Sequence, residues 1–128
     1  MAGGQAVICA GFGFASSASV IDLAEALAEA QALAGVAHLD ALAIRAAMSD
    51  PSPAQALARH LAVPLMMVPA TSLAAMADLC QTRSRVSLDH TGLPSVAEAA
   101  ALAGAGAGAR LIQPRLVRGV VTCALAGG

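Results

Sequence analysis

Apolar positions along this chain fall into two rhythms, short continuous runs of strand length and longer stretches at helical spacing. Gln5 to Ala10 is an unbroken run, as expected for a strand covered on both faces. From Ser19 to Ala34, Val20, Leu23, Leu27, Ala30 and Ala34 recur every three or four residues. Asp22, Glu25 and Glu29 occupy another face, which predicts an amphipathic helix ended by Gly35. Leu39 to Arg45 is the second strand. The loop Met48 to Pro53 then leads into a helix that Ser52 caps and Pro53 starts, with Leu57 and Leu61 facing inward. Pro64 to Pro69 is a third short strand, and Thr71 or Ser72 caps a helix whose inner face is Leu73, Met76 and Leu79 or Cys80. The polar stretch Gln81 to Gly92 predicts a mobile loop. Pro94 and Ser95 open the next helix, and Gly104 to Gly108 is a turn. Ala109 to Gln113 and Gly119 to Ala126 read as an antiparallel hairpin joined through Pro114 to Arg118. This alternation predicts an α/β fold, a three-layer α/β/α sandwich on a mixed, largely parallel sheet of about five strands.

Composition narrows the class. The 128 residues suit one domain, 1–128, with a core of its own. A hydrophobic content of 58% and a mean hydropathy of +0.73 suggest a membrane protein, but much of the score is alanine, which a helix surface tolerates. Residues 1–21 are uncharged, yet they lack a basic leader, and Gly3, Gly4, Gly11, Gly13 and several serines interrupt any apolar span. Residues 61–77 are broken by Pro64 and Pro69. The expectation is a cytoplasmic protein with no membrane partner. Cys9, Cys80 and Cys123 are scattered in apolar runs, which fits buried thiols in a reducing compartment. No paired metal-ligand spacing occurs, so neither a metal nor another cofactor is expected. A net charge of -1, with no tyrosine or tryptophan, argues against nucleic acid as a partner.

Two stretches carry the candidate chemistry. In Ala10-Gly-Phe-Gly-Phe-Ala-Ser-Ser17 a strand runs into a glycine turn, where Gly11, Gly13, Ser16 and Ser17 serve either a plain tight turn or a ligand contact. Nucleotide binding is disfavoured there, because Ser16 stands at the third glycine position and Asp22 and Glu25 put negative charge near the helix start. In Leu93-Pro-Ser-Val-Ala-Glu98 the pair Ser95 and Glu98 has capping-box spacing. The alternative is that this helix start, the loop Asp89 to Gly92 and the glycine turn meet at one sheet edge, where ligands of open α/β sheets bind. A hydrolytic triad of Ser95 or Ser17 with His90 and Asp89 is disfavoured, because chain neighbours rarely orient one another so and no G-x-S-x-G elbow is present. His38 and His60 fit surface or helix-end positions. All seven basic side chains are arginines, several at strand ends or in loops, and arginine holds carboxylates in a bidentate grip.

In order and spacing, these stretches, together with Leu42 to Val68 and the closing Leu111-Ile-Gln-Pro and Val120-Val-Thr-Cys-Ala-Leu-Ala126, resemble the CobE family of cobalamin biosynthesis. The same module forms the C-terminus of CbiG proteins. The resemblance runs from about Val7 to Ala126. It implies a role in the aerobic route to cobalamin, with a precorrin or corrin intermediate as ligand and another enzyme of that pathway as a second candidate partner. CbiG proteins open a ring lactone of cobalt-precorrin-5A with loss of a two-carbon fragment. The family's turn is of G-x-G-C type, and Phe14 stands here at its cysteine. Arg45 and Arg115 hold the charge where the family has a lysine-bearing stretch and a Pro-Lys pair. The resemblance thus implies ligand contacts at Gly11, Gly13, Ser16, Ser17, His90, Ser95 and Glu98, with Arg45 and Arg115 as carboxylate partners. Three roles follow as alternatives: carrier or accessory component, hydrolase or lyase using His90 or Glu98 as acid or base, and non-catalytic partner module.

Overall fold

The structure, a computed structural model, describes residues 7–128. Five strands form one mixed sheet in the order β3-β2-β1-β5-β4: β1 (Ile8–Phe14), β2 (Ala41–Arg45), β3 (Leu65–Val68), β4 (Arg110–Arg118) and β5 (Val121–Gly127). The first three are parallel, and β5 is antiparallel to both β1 and β4. Helices α1 (Val20–Ala34) and α2 (Ser52–Leu61) cover one face; α3 (Ala70–Ala75) and α5 (Val96–Ala105) cover the other. The expected three-layer sandwich is thus observed. A 3-10 turn at Ala77–Leu79 and α4 (Arg85–Thr91) link α3 to α5.

Residue size divides the two faces. Ala10 and Phe12 of β1, Leu42 and Ile44 of β2, and Val121, Cys123 and Leu125 of β5 pack against Leu23, Ala26, Leu27 and Ala30 of α1 and Leu57 of α2. The alternate residues on the α5 side are small: Cys9, Gly11, Ala41, Ala43, Ala124 and Ala126. The helix they receive is small as well, with buried Ala97, Ala99, Ala100, Ala101 and Gly104. Alternation at period two therefore encodes a deep conventional core on one side and a close helix-sheet contact on the other.

Local signals account for most boundaries. Ser19 and Asp22 form a reciprocal capping box at α1, with Asp22 N donating to Ser19 Oγ at 3.2 Å and Ser19 N donating to Asp22 Oδ2 at 2.9 Å. At α2, Pro51 rather than Ser52 is the N-cap, and Asp50 Oδ1 accepts from both Ser52 N and Ser52 Oγ. Neither Thr71 nor Ser72 caps α3, which begins after Pro69. Leu57 is buried as expected, whereas Leu61 and Leu79 are exposed.

Four further expectations change. Gly11 and Gly13 lie inside β1, not in a turn; the strand continues to Phe14 because β5 pairs with it along its whole length, and the turn follows at Ala15 to Ala18. Gln5 and Ala6 of the expected first strand lie outside the described residues. The expected loop at 81–92 contains α4, capped by Ser84, whose Oγ accepts from Ser87 N. Gly104 and Ala105 belong to α5. Finally, Pro114 to Arg118 is strand, and the hairpin turns at Gly119-Val120, where Gly119 supplies a φ of 59°. β4 admits Pro114 because it is an edge strand whose register slips between Gln113 and Leu116, leaving the extra residue outside the ladder.

Candidate functional site

That slip in β4 creates a polar obligation. The displaced Arg115 N–H donates to Glu98 Oε2 at 2.8 Å, across to α5. Glu98 is fully buried and accepts three more bonds: from Gln81 N at 2.7 Å, Thr82 N at 2.9 Å and Thr82 Oγ1 at 2.7 Å. Ser95 caps α5 by accepting from Glu98 N at 3.2 Å, so half of the expected capping box forms. The other half does not. The Glu98 carboxylate turns away from the cap to clasp the segment before α4 and the bulge in β4. Cys80 lies against this clasp, its Sγ donating to Met76 O and Ser95 O. Burial pushes the Cys80 thiol up to about 11, with the Glu98 charge adding to the effect.

Above the clasp, at the carboxyl ends of the parallel strands, two adjoining depressions share Arg45 and Thr91. The first, about 290 Å³, is lined by Gly13 and Phe14 from the end of β1, Arg45, Ser87 of α4, Arg115 and Thr122. The second, about 370 Å³, is lined by Arg45, Val68, Leu73, His90, Thr91 and Leu93. This is where an open α/β sheet places a ligand crevice. Helix α4 contributes to both, and Thr91 fixes its end: its Oγ1 donates to Ser87 O at 2.7 Å and accepts from Leu93 N at 3.2 Å.

The expected site residues thus fall into three groups. Gly13, Arg45, His90 and Arg115 come together around the crevice. Gly11, Ser95 and Glu98 lie beneath it, buried, holding β1, α5 and β4 together. Ser16 and Ser17 sit on the exposed turn after β1, outside both depressions. Thr91 belongs to the loop Asp89 to Gly92 expected at this edge, whereas Ser84 and Ser87 are polar residues of the crevice wall that sequence reasoning missed. The one signal for them is Ser84 as an N-cap, because exposed Val86 and Leu88 give α4 no apolar stripe.

The cation balance of the crevice is uneven. Among the described residues, neither the Arg45 nor the Arg115 guanidinium has a carboxylate within 4.0 Å; the ion pairs present are His38 with Asp40 and Arg118 with Glu25 and Glu29. Arg115 Nε is buried and has no hydrogen-bond partner. No group of three or more His, Cys, Asp or Glu side chains able to hold a metal ion occurs among the described residues. No helix there is long and apolar enough to cross a membrane.

Comparison with known proteins agrees with this architecture. Residues 8–126 match the family model described as Cobalamin synthesis G C-terminus. The chain is 42% identical over 113 residues to Protein CobE of Sinorhizobium sp., covering 84% of this chain and 70% of that one. The crystal structure of CobE, a protein from the cobalamin (vitamin B12) biosynthetic pathway, superposes with a TM-score of 0.90 at 32% identity, covering 96% of this chain and 91% of that one. The cobalamin biosynthesis protein chiG of Agrobacterium tumefaciens gives 0.75 at 43% identity, covering 94% and 97%.

Proposed function

We propose, from the premise that this chain belongs to the Cobalamin synthesis G C-terminus family, that it binds a precorrin or corrin intermediate as carrier or accessory component. It is a protein of cobalamin biosynthesis. The observation that carries the binding role is the crevice at the strand ends, where Arg45 and Arg115 stand without carboxylate partners beside apolar side chains of β1, β3 and α3. A corrin intermediate presents an extended apolar ring rimmed by acetate and propionate carboxylates, and both halves of that description have a counterpart here. The depressions are shallow compared with a whole macrocycle, so one edge of the ring would be held while the rest stays open to a partner.

In this reading Gly13, Arg45, His90 and Arg115 contact the ligand, and Gly11, Ser95 and Glu98 hold the crevice in shape. The carboxylate of Glu98 already accepts four hydrogen bonds, which favours support over acid-base catalysis. The test is a titration of the purified protein with precorrin intermediates, followed by visible absorption and co-elution on gel filtration. The chain has no tyrosine or tryptophan, so pigment is easily distinguished from protein. Saturable binding lost in Arg45→Ala supports the carrier role. Conversion of the pigment without co-elution would make the protein an enzyme, and absence of both would leave the partner-module role.

A further inference from the structure

We infer that Arg115 and Arg45 build a site for one free carboxylate in the depression beside β1, and that the complex persists only while that group remains an anion. This rests on the proposed corrin reading but is narrower than it, because it assigns recognition to one peripheral substituent instead of to the ring. Three observations converge. Arg115 lines the depression, and its Nε is buried without a hydrogen-bond partner, a donor the fold leaves unsatisfied. The backbone of the same residue is fixed, because its N–H is held by the buried Glu98 carboxylate at 2.8 Å. The arginine side chain therefore starts from a fixed point of the backbone. The third observation is Arg45, a second cation lining the same depression from the end of β2, likewise without a carboxylate within 4.0 Å.

The chemistry of the pair selects the ligand. A guanidinium presents its N–H donors in one plane, as a fork, and suits the in-plane lone pairs of a carboxylate. A depression of about 290 Å³ admits an acetate or propionate arm and not a macrocycle. Converting that arm to an amide or ester removes the charge that both guanidiniums require. A ligand whose carboxylic acid has condensed with ammonia or an alcohol elsewhere, with loss of water, is therefore no longer held.

The test uses two probes on the intact chain: dicyanocobyrinic acid, whose peripheral carboxylates are free, and its fully methylated ester. Glutarate serves as a ring-free carboxylate and inorganic phosphate as a competing anion. The readouts are ligand co-elution and the nitrogen-15 resonance of Arg115 Nε–H, assigned by its absence in Arg115→Lys. The expected result is a saturable shift of that resonance with the acid and with glutarate, and none with the ester. Binding of the acid is expected to weaken about tenfold or more in Arg115→Lys, which keeps charge but loses the fork. If acid and ester bind alike and the resonance stays still, the carboxylate site is overturned while the corrin reading stands. A glutarate shift with no corrin binding keeps the carboxylate site and removes the corrin reading. A response to phosphate stronger than to glutarate, or no response to any probe, overturns the inference.

Discussion

Gly11 of β1 runs directly beneath the carbonyl of Ala97 in α5: a Cβ on this glycine would collide with that oxygen and lie 2.5 Å from Ala101 N. Both obstacles are backbone, so neither can rotate away. Gly11→Ala is therefore expected to push α5 off the sheet and destabilise the fold by about 3 kcal/mol or more, the upper end of core overpacking. Gly13→Ala is the contrast, because its Cβ meets the Thr122 hydroxyl at 2.8 Å, a movable side-chain atom. Urea unfolding of the two variants measures the difference; equal losses would mean that α5 is not held at this distance.

The Glu98 clasp should dominate the stability of the crevice. Glu98→Ala strips the acceptor from three backbone N–H groups and one hydroxyl, a loss of about 3 kcal/mol or more. Ser95→Ala removes one cap bond and should cost about 1 kcal/mol. Hydrogen exchange at Gln81, Thr82 and Arg115 would show whether Glu98→Ala frees those amides as expected.

All three cysteines are buried and free. Burial raises the Cys9 thiol to about 12 and the Cys80 thiol to about 11, and it raises Cys123 as well, with neighbouring Cys9 adding to that shift. Above pH 9 the unfolded thiols ionise first, so the unfolded state binds fewer protons and stability falls as pH rises. This contribution is intact below about pH 9, the ordinary thiol value of 9.0, and is lost on approach to about 12. A thiol reagent at pH 8 should leave Cys9 and Cys123 unmodified until denaturant is added; rapid labelling of the native protein would contradict this burial.

Ala62 ends α2 in the left-handed region, with φ 58° and ψ 41°, its N–H donating to the last turn. An L-residue with a side chain is strained there by about 1–2 kcal/mol. Ala62→Gly relieves that strain at some cost in unfolded-state entropy, and a net gain of a few tenths to about 1 kcal/mol is expected. A lowered melting temperature would contradict it.

His90 is exposed on α4 and touches the second depression, while Arg45 belongs to both. Arg45→Ala should weaken corrin binding about tenfold or more, as expected for loss of a charge-assisted contact. His90→Ala should weaken it less, with unchanged melting temperatures for both. Equal and undiminished binding in the pair would place the ligand elsewhere.

Much of this architecture is legible from residue order, because the apolar run ending at Ala10 and the apolar stripe of Leu23, Leu27 and Ala30 report burial directly. The glycines illustrate the limit. Gly11-Phe-Gly13 has the composition of a turn, and only the approach of α5 from a distant part of the chain explains why side chains are excluded there. Ser95 and Glu98 are likewise visible as a pair, but the partners of Glu98 are 16 and 17 residues away on either side. A carboxylate at capping-box spacing was drawn outward by donors that no local pattern encodes. Helix α4 is not legible in the sequence because its exposed Val86 and Leu88 obscure the helical period.

Strand order has a consequence for how the chain is made. β5 is the last strand along the sequence, yet it lies between β1 and β4 and pairs with β1 over seven consecutive residues. Until Val121 to Gly127 has left the ribosome, β1 keeps one bare edge and the small-residue face under α5 remains incomplete. Assembly then depends on contacts spanning more than a hundred residues, a topology that folds slowly and leaves nascent chains exposed to aggregation. Premature termination anywhere before β5 should therefore yield insoluble material instead of a smaller folded protein.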